Sequence, residues 1–162
     1  MALRNIIFED NPMIRKKSRL VEDFDEKLWD LLDDMKETMI KNEGCGIAAP
    51  QVGVLKQVVI IDAENLFFEL INPKIVSSCG SQESIEGCLS VKEHNGLVIR
   101  PQTVTVEFYN RYGSLIKITV NDFLATVFCH EIDHLSGVLF VDKAKELYKK
   151  EEFVKRKKKG NK

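Results

Sequence analysis

Apolar residues recur at helical spacing over residues 24–41, where Leu28, Leu31, Leu32, Met35 and Met39 fall on one stripe. Asp23 with Glu26 reads as a helix-start box and Gly44 as the stop, so an amphipathic helix is expected there. Gly44 to Gly53 is rich in Gly and Ala with one Pro, which predicts a close-packed loop. Val58 to Asp62 is a short apolar run of the buried-strand kind, and Phe67 to Ile71 is its expected hairpin partner. Beyond Asn72-Pro73 the pattern is irregular until Glu86, after which Cys88, Leu89 and Val91 predict a short strand. Val104, Val106 and Phe108 alternate with Thr105 and Glu107, turn through Asn110 to Gly113, and return as Leu115 to Val120, a hairpin. Asp122 is placed to cap a second helix, in which Phe123, Leu124, Val127, Phe128, Ile132 and Leu135 cover more than one face. A helix apolar on several sides belongs in the core. Lys143 to Lys158 reads as a third helix, with Ala144, Leu147, Tyr148 and Val154 as a thin stripe on a basic body. The order of elements predicts an α+β fold. Mostly antiparallel sheets pack around a central helix, with an N-terminal amphipathic helix and a C-terminal helix.

The 162 residues suit one domain, expected to span 1–162. At 44% hydrophobic and 30% charged, the composition fits a soluble globular protein that buries a core. A net charge of -1 gives no global field to attract nucleic acid, and no sequence-specific nucleic-acid binding is expected. The apolar run Ile6-Ile7-Phe8 is cut short by Glu9, Asp10 and Asn11-Pro12, so neither a secretory leader nor a membrane span is expected, and the cytoplasm is the expected location. Cys45, Cys79, Cys88 and Cys129 form no CxxC pair, which argues against disulfides and against a zinc knuckle.

The chemistry concentrates in His130-Glu131-Ile132-Asp133-His134. At about 100° per residue, positions four apart differ by only about 40°, so both imidazoles leave one face of the second helix and can grip one metal ion. Glu131 follows the first imidazole, where its carboxylate can take a proton from a catalytic water. Two of only three histidines flank a Glu on an apolar helix, which is costly without a purpose. A catalytic site of this kind commonly uses three protein ligands. The metzincin spacing would put the third at position 140, which is Phe, and Glu146, Glu151 and Glu152 lie in a lysine-rich tail. Cys88, His94 and the other cysteines remain upstream, with Cys88 inside Glu86-Gly87-Cys88-Leu89-Ser90.

Three segments in this order resemble the peptide deformylase family: Gly44-Cys45-Gly46-Ile47-Ala48-Ala49-Pro50-Gln51, Glu86 to Ser90, and His130 to His134. Looser likeness runs from about Pro12 to Asp142. The resemblance implies that Cys88 joins His130 and His134 around one divalent ion, Fe(II) in the cell, with Zn, Ni or Co acceptable to the same soft set. It implies that Glu131 is the general base and then the acid. It assigns the Gln51 amide and the Leu89 N–H to the oxyanion. The implied substrate is an N-formylmethionyl peptide on a nascent chain, and the implied products are formate and a free methionyl amine. Gly44, Cys45, Gly46, Ile47, Glu86, Gly87 and Val127 are the expected substrate contacts. Cys45, Ile47, Val127 and the His130 ring are the expected walls of the methionine pocket, with Phe123 or Leu124 at its mouth. Glu86 and Arg100 are further expected to pair and brace the metal loop.

The chain departs from the family at Cys129, where Gln is usual, and at Lys92, where Pro is common. Both bear on how the metal loop is supported, and a buried, inert thiol is the expected state of Cys129. From Asp142 onward ten Lys or Arg stand against four Asp or Glu, which suggests a ribosome contact or a solvated end. Two other functions fit the motif less well: a zinc peptidase cutting internal bonds, and a silent binder of formylated N-termini.

Overall fold

The computed structural model describes residues 2–150. Helix α1 spans Glu26–Lys41 and is capped two residues later than the expected box, because Asp25 rather than Asp23 accepts the Leu28 N–H at 3.2 Å. An N-cap oxygen accepts from the N–H two or three residues on, and Asp25 stands three residues before Leu28. The strands are β1 (Gly46–Ala48), β2 (Val58–Ala63), β3 (Leu66–Cys79), β4 (Gln82–Cys88), β5 (Val91–Arg100), β6 (Thr103–Tyr109), β7 (Leu115–Asn121) and β8 (Glu146–Lys149). Helix α2 is Asp122–His134, and α3 is the single turn Phe140–Lys143.

Five strands form one antiparallel sheet in the order β1-β2-β3-β6-β7. Strand side chains alternate between faces. Val59 and Ile61 therefore pack with Phe128 of α2, while Val58 and Ile60 pack with Leu32 and Met35 of α1. Burial on both faces explains why Val58 to Ile61 is continuously apolar. In β6 only one face is covered, by α2, so Val104, Val106 and Phe108 are buried between half-buried Thr105 and Glu107.

Three longer stretches also differ from expectation. The loop expected over Gly44–Gly53 contains β1 and a 3-10 turn, Ala49–Val52. The stretch expected to be irregular after Asn72 continues as β3 and returns as β4. Asn72 has φ 53 and clasps the backbone of Val21, and the β3–β6 register shifts between Ile71 and Lys74, which erases the period-two pattern. A C-terminal helix is present, but as α3 alone. Instead of the helix from Lys143, the chain runs as β8 along β5 from His94 to Leu97, and residues 151–158 of that expected helix lie outside the described residues. Lys, Glu, Ala and Leu favour helix intrinsically, but the open edge of β5 satisfies a whole row of backbone groups.

The second sheet, β4-β5-β8, presents a hairpin tip to α2. Cys88 pairs with Val91 across the two-residue turn Leu89-Ser90. Asp122 is not the cap of α2 but its first residue, preceded by Asn121 in extended backbone. At the far end of α2, Gly137 has φ 75, and a Cβ there would lie 2.1 Å from the Arg15 carbonyl oxygen. Among the described residues no helix is long and apolar enough to cross a membrane.

Candidate metal centre

The hairpin tip and α2 carry the three donors. Cys88 ends β4, and His130 and His134 stand about one turn apart on α2. One donor atom from each lies within 4.8 Å of the others, and the Cys88 Sγ is 3.4 Å from His134 Nε2. His134 is fully buried, and burial holds its pKa well below the ordinary range, so the ring is neutral and offers a lone pair. His130 faces the opposite pull. Burial disfavours its charge, but contacts with Cys88 and Glu86 outweigh that and raise its pKa.

Glu86 orients the His130 ring. Its Oε1 is 2.8 Å from Nδ1, which turns Nε2 toward the other donors. Arg100 holds the same carboxylate with Nε and Nη2, each at 2.8 Å, and reaches Asp133 Oδ2 with Nη1 at 2.7 Å. Lys143 Nζ shares that Asp133 oxygen at 2.9 Å. Burial would raise the Glu86 carboxyl, yet the bonds from Arg100 and His130 win and hold it at about 2. Glu86 was expected among the substrate contacts. It borders the cavity, and both of its oxygens are engaged by Arg100 and His130, the pairing with Arg100 that was also expected.

Glu131 is 5% exposed and its Oε1 lies 3.7 Å from His130 Nε2. Its Oε2 is buried and has no hydrogen-bond partner among the described residues. Burial pushes the carboxyl up to about 7. Gly46 lets the backbone pass close to it: a Cβ there would come within 2.9 Å of Glu131 Cγ and Oε1 and would displace the carboxylate. Gln51 is 1% exposed; its Oε1 accepts the Ala48 N–H at 2.9 Å, and its Nε2 lies 3.1 Å from Ser90 Oγ and 3.5 Å from Cys88 Sγ.

A cavity of about 360 Å³ opens over this group. Gly44, Cys45, Gly46, Gly87, Cys88, Leu89, Phe123, Val127, His130 and Glu131 border it, together with Ile85 and Lys150. Ile47 does not. It is fully buried against α1 with Met39 and Ile60, because alternation along β1 turns residue 47 away from the face that Gly46 and Ala48 present to α2. Leu124 likewise sits in the core beside Phe128, leaving half-exposed Phe123 at the mouth. Cys129 is 4% exposed and burial pushes its thiol up to about 11, an unreactive state. Lys92 extends over the Phe8 ring, 3.8 Å from its centroid. Ser90 had no expected role, and only its place directly after the Cys88-Leu89 pair hinted at one.

A thiol and two imidazoles that converge in a buried corner, beside a carboxylate oxygen with no partner among the described residues, fit a single divalent ion. The comparisons with known proteins agree. Residues 3–150 match the model of the polypeptide deformylase family. The chain is 52% identical over 143 residues to the peptide deformylase of Alkaliphilus metalliredigens, covering 88% of this chain and 97% of that one. It is 48% identical to that of Caldicellulosiruptor bescii over 162 residues, 100% of this chain and 98% of the relative. The crystal structure of a peptide deformylase from Legionella pneumophila superposes with a TM-score of 0.85 at 42% identity, over 88% of this chain and 86% of the other. That of Thermotoga maritima gives 0.88 at 33% identity, over 90% and 100%.

Proposed function

Since the chain belongs to the polypeptide deformylase family, we propose that Cys88, His130 and His134 hold its divalent ion and that Glu131 moves the proton of its reaction. The enzyme is a metallohydrolase that removes the N-formyl group from the N-terminal formylmethionine of nascent polypeptides and releases formate. The observation that carries the assignment is the convergence of the three donor atoms within 4.8 Å beside Glu131. When bound, the ion supplies Lewis acidity at the formyl group and makes water a stronger acid.

The chain's own groups supply the rest. Glu131 takes a proton from the attacking water and returns it to the departing methionyl nitrogen, work suited to a carboxyl whose pKa burial has raised to about 7. The Gln51 amide and the Leu89 N–H receive the charge that develops on the formyl oxygen. The second N–H of Gln51 has only a long 3.5 Å contact with Cys88 Sγ, which an oxyanion can displace. Gly44, Cys45, Gly46, Gly87 and Val127 border the methionine and the peptide behind it. Arg100, through Glu86, keeps the His130 ring from turning.

Fe(II) is the ion in the cell, with Zn, Ni or Co able to replace it in purified protein. The basic residues that follow α3 make contact with the ribosome, and the enzyme works in the cytoplasm. Salt-sensitive cosedimentation with ribosomes, lost on deletion from Glu151 onward, tests the contact; unchanged binding rejects it. Neither a peptidase nor a silent binder is favoured by the family.

Anaerobically purified protein should release formate from formyl-Met-Ala and leave the Met-Ala bond whole, with metal measured on the same sample. Glu131→Ala should keep the metal and lose about 100-fold or more in kcat. Loss of metal in that variant would make Glu131 structural and place the base elsewhere.

A further inference from the structure

Ser90 is fully buried at the hairpin tip, yet each of its polar groups is engaged. Its Oγ accepts from Gln51 Nε2 at 3.1 Å, its N–H lies 3.5 Å from Cys88 Sγ, and its carbonyl accepts the Glu9 N–H at 2.9 Å. The far end of the Gln51 amide is fixed by the Ala48 N–H. A backbone N–H can only donate, so oxygen faces Ala48 and nitrogen faces Ser90 and Cys88. The terminal torsion of a glutamine is otherwise soft, with no steep staggered wells. Without the hydroxyl, one contact at the oxygen and one long contact to sulfur would remain to set the amide plane.

The N-terminal arm secures both segments from outside. The Ile7 N–H donates to the Gln51 carbonyl at 2.7 Å, two residues before Glu9 donates to that of Ser90. Phe8, between them, lies under the Lys92 ammonium. One short piece of chain thus ties the loop bearing Gln51 to the turn bearing Leu89.

We infer that Ser90 is a positioning residue for the deformylase reaction. Its hydroxyl takes one proton of the Gln51 amide and so aims the other at the Cys88 side of the cavity, while the arm Ile7 to Glu9 holds the two segments in register. An oxyanion donor works by being aimed before charge appears, so its orientation belongs in kcat rather than in substrate binding. The inference rests on the assignment of Gln51 to the oxyanion.

The test is a double-mutant cycle of Ser90→Ala and Gln51→Ala, with formate release, metal content and thermal unfolding measured for each protein. Gln51→Ala should lower kcat about 100-fold. Ser90→Ala should lower it about tenfold, with KM within about twofold and metal stoichiometric. On the Gln51→Ala background the same change should cost less than about twofold, because the group through which Ser90 acts is gone. An equal loss on both backgrounds, or an unchanged kcat in Ser90→Ala, overturns the positioning role. If Gln51→Ala itself retains wild-type kcat, the oxyanion assignment fails first and this inference falls with it. Should Ser90→Ala not fold, Ser90→Cys, of similar size but a weaker acceptor, is read in the same cycle by the same criteria.

Discussion

Two arginines make nearly the same bonds in different parts of the molecule. Arg100 forks Glu86 and reaches Asp133; Arg111 forks Glu69 with Nε at 2.8 Å and Nη2 at 2.6 Å, and reaches Asp33 at 3.0 Å. The Arg100 side chain is 2% exposed and that of Arg111 is 23% exposed. The next link differs more. Beyond Glu86 stands the ring of His130, whereas Arg111 and its carboxylates tie the β6–β7 turn to α1, helped by Trp29 Nε1 donating to the Arg111 carbonyl at 2.8 Å. The difference teaches that an ion pair becomes part of a mechanism through what it touches next and through the water it excludes. Two carboxylates around a guanidinium do not by themselves mark a functional site.

The sharpest way to break this comparison is Glu86→Ala. It leaves a buried guanidinium with Asp133 as its one carboxylate partner and frees the His130 ring, so it should cost about 3 kcal/mol of stability and weaken metal binding about 10–100-fold. Urea unfolding and chelator competition read the two effects, and unchanged metal affinity would reduce Arg100 to the rank of Arg111. Glu69→Ala sharpens the contrast from the other side. The expected loss is about 1 kcal/mol or less and shrinks with added salt, with metal affinity and kcat unaltered. A drop in metal affinity there would mean that the hairpin turn is coupled to the metal centre after all.

The same distinction governs what could be read from sequence. Helix α1 and the β6–β7 hairpin were legible because each has one buried face, and one-sided burial writes its period into the residues. The outer half of β3 was not, since residues 74–79 are exposed on both sides and nothing selects their alternation. Strand β8 was misread because Glu146 to Lys149 has helix-forming composition, and the edge that captures it lies some fifty residues away. At the site, His130, Glu131 and His134 declare themselves by spacing within one helix. Cys88 needed the resemblance, because nothing local says which sulfur meets them. Ile47 was placed on the wrong wall because a three-residue strand is too short to show which face it presents. The part played by Ser90 depends on Gln51 and Glu9, both remote in sequence, and no pattern within the hairpin encodes it.

Cys88 and His134 are 46 positions apart, whereas the two histidines need only one turn of helix to meet. Bringing the imidazoles onto one face takes only the helix, whereas the sulfur reaches them only where the β4–β5 hairpin is closed and docked on α2, a contact between remote segments that carries a large loop-closure entropy. A complete donor set is therefore a chemical record of tertiary docking, which neither the helix nor the hairpin supplies alone.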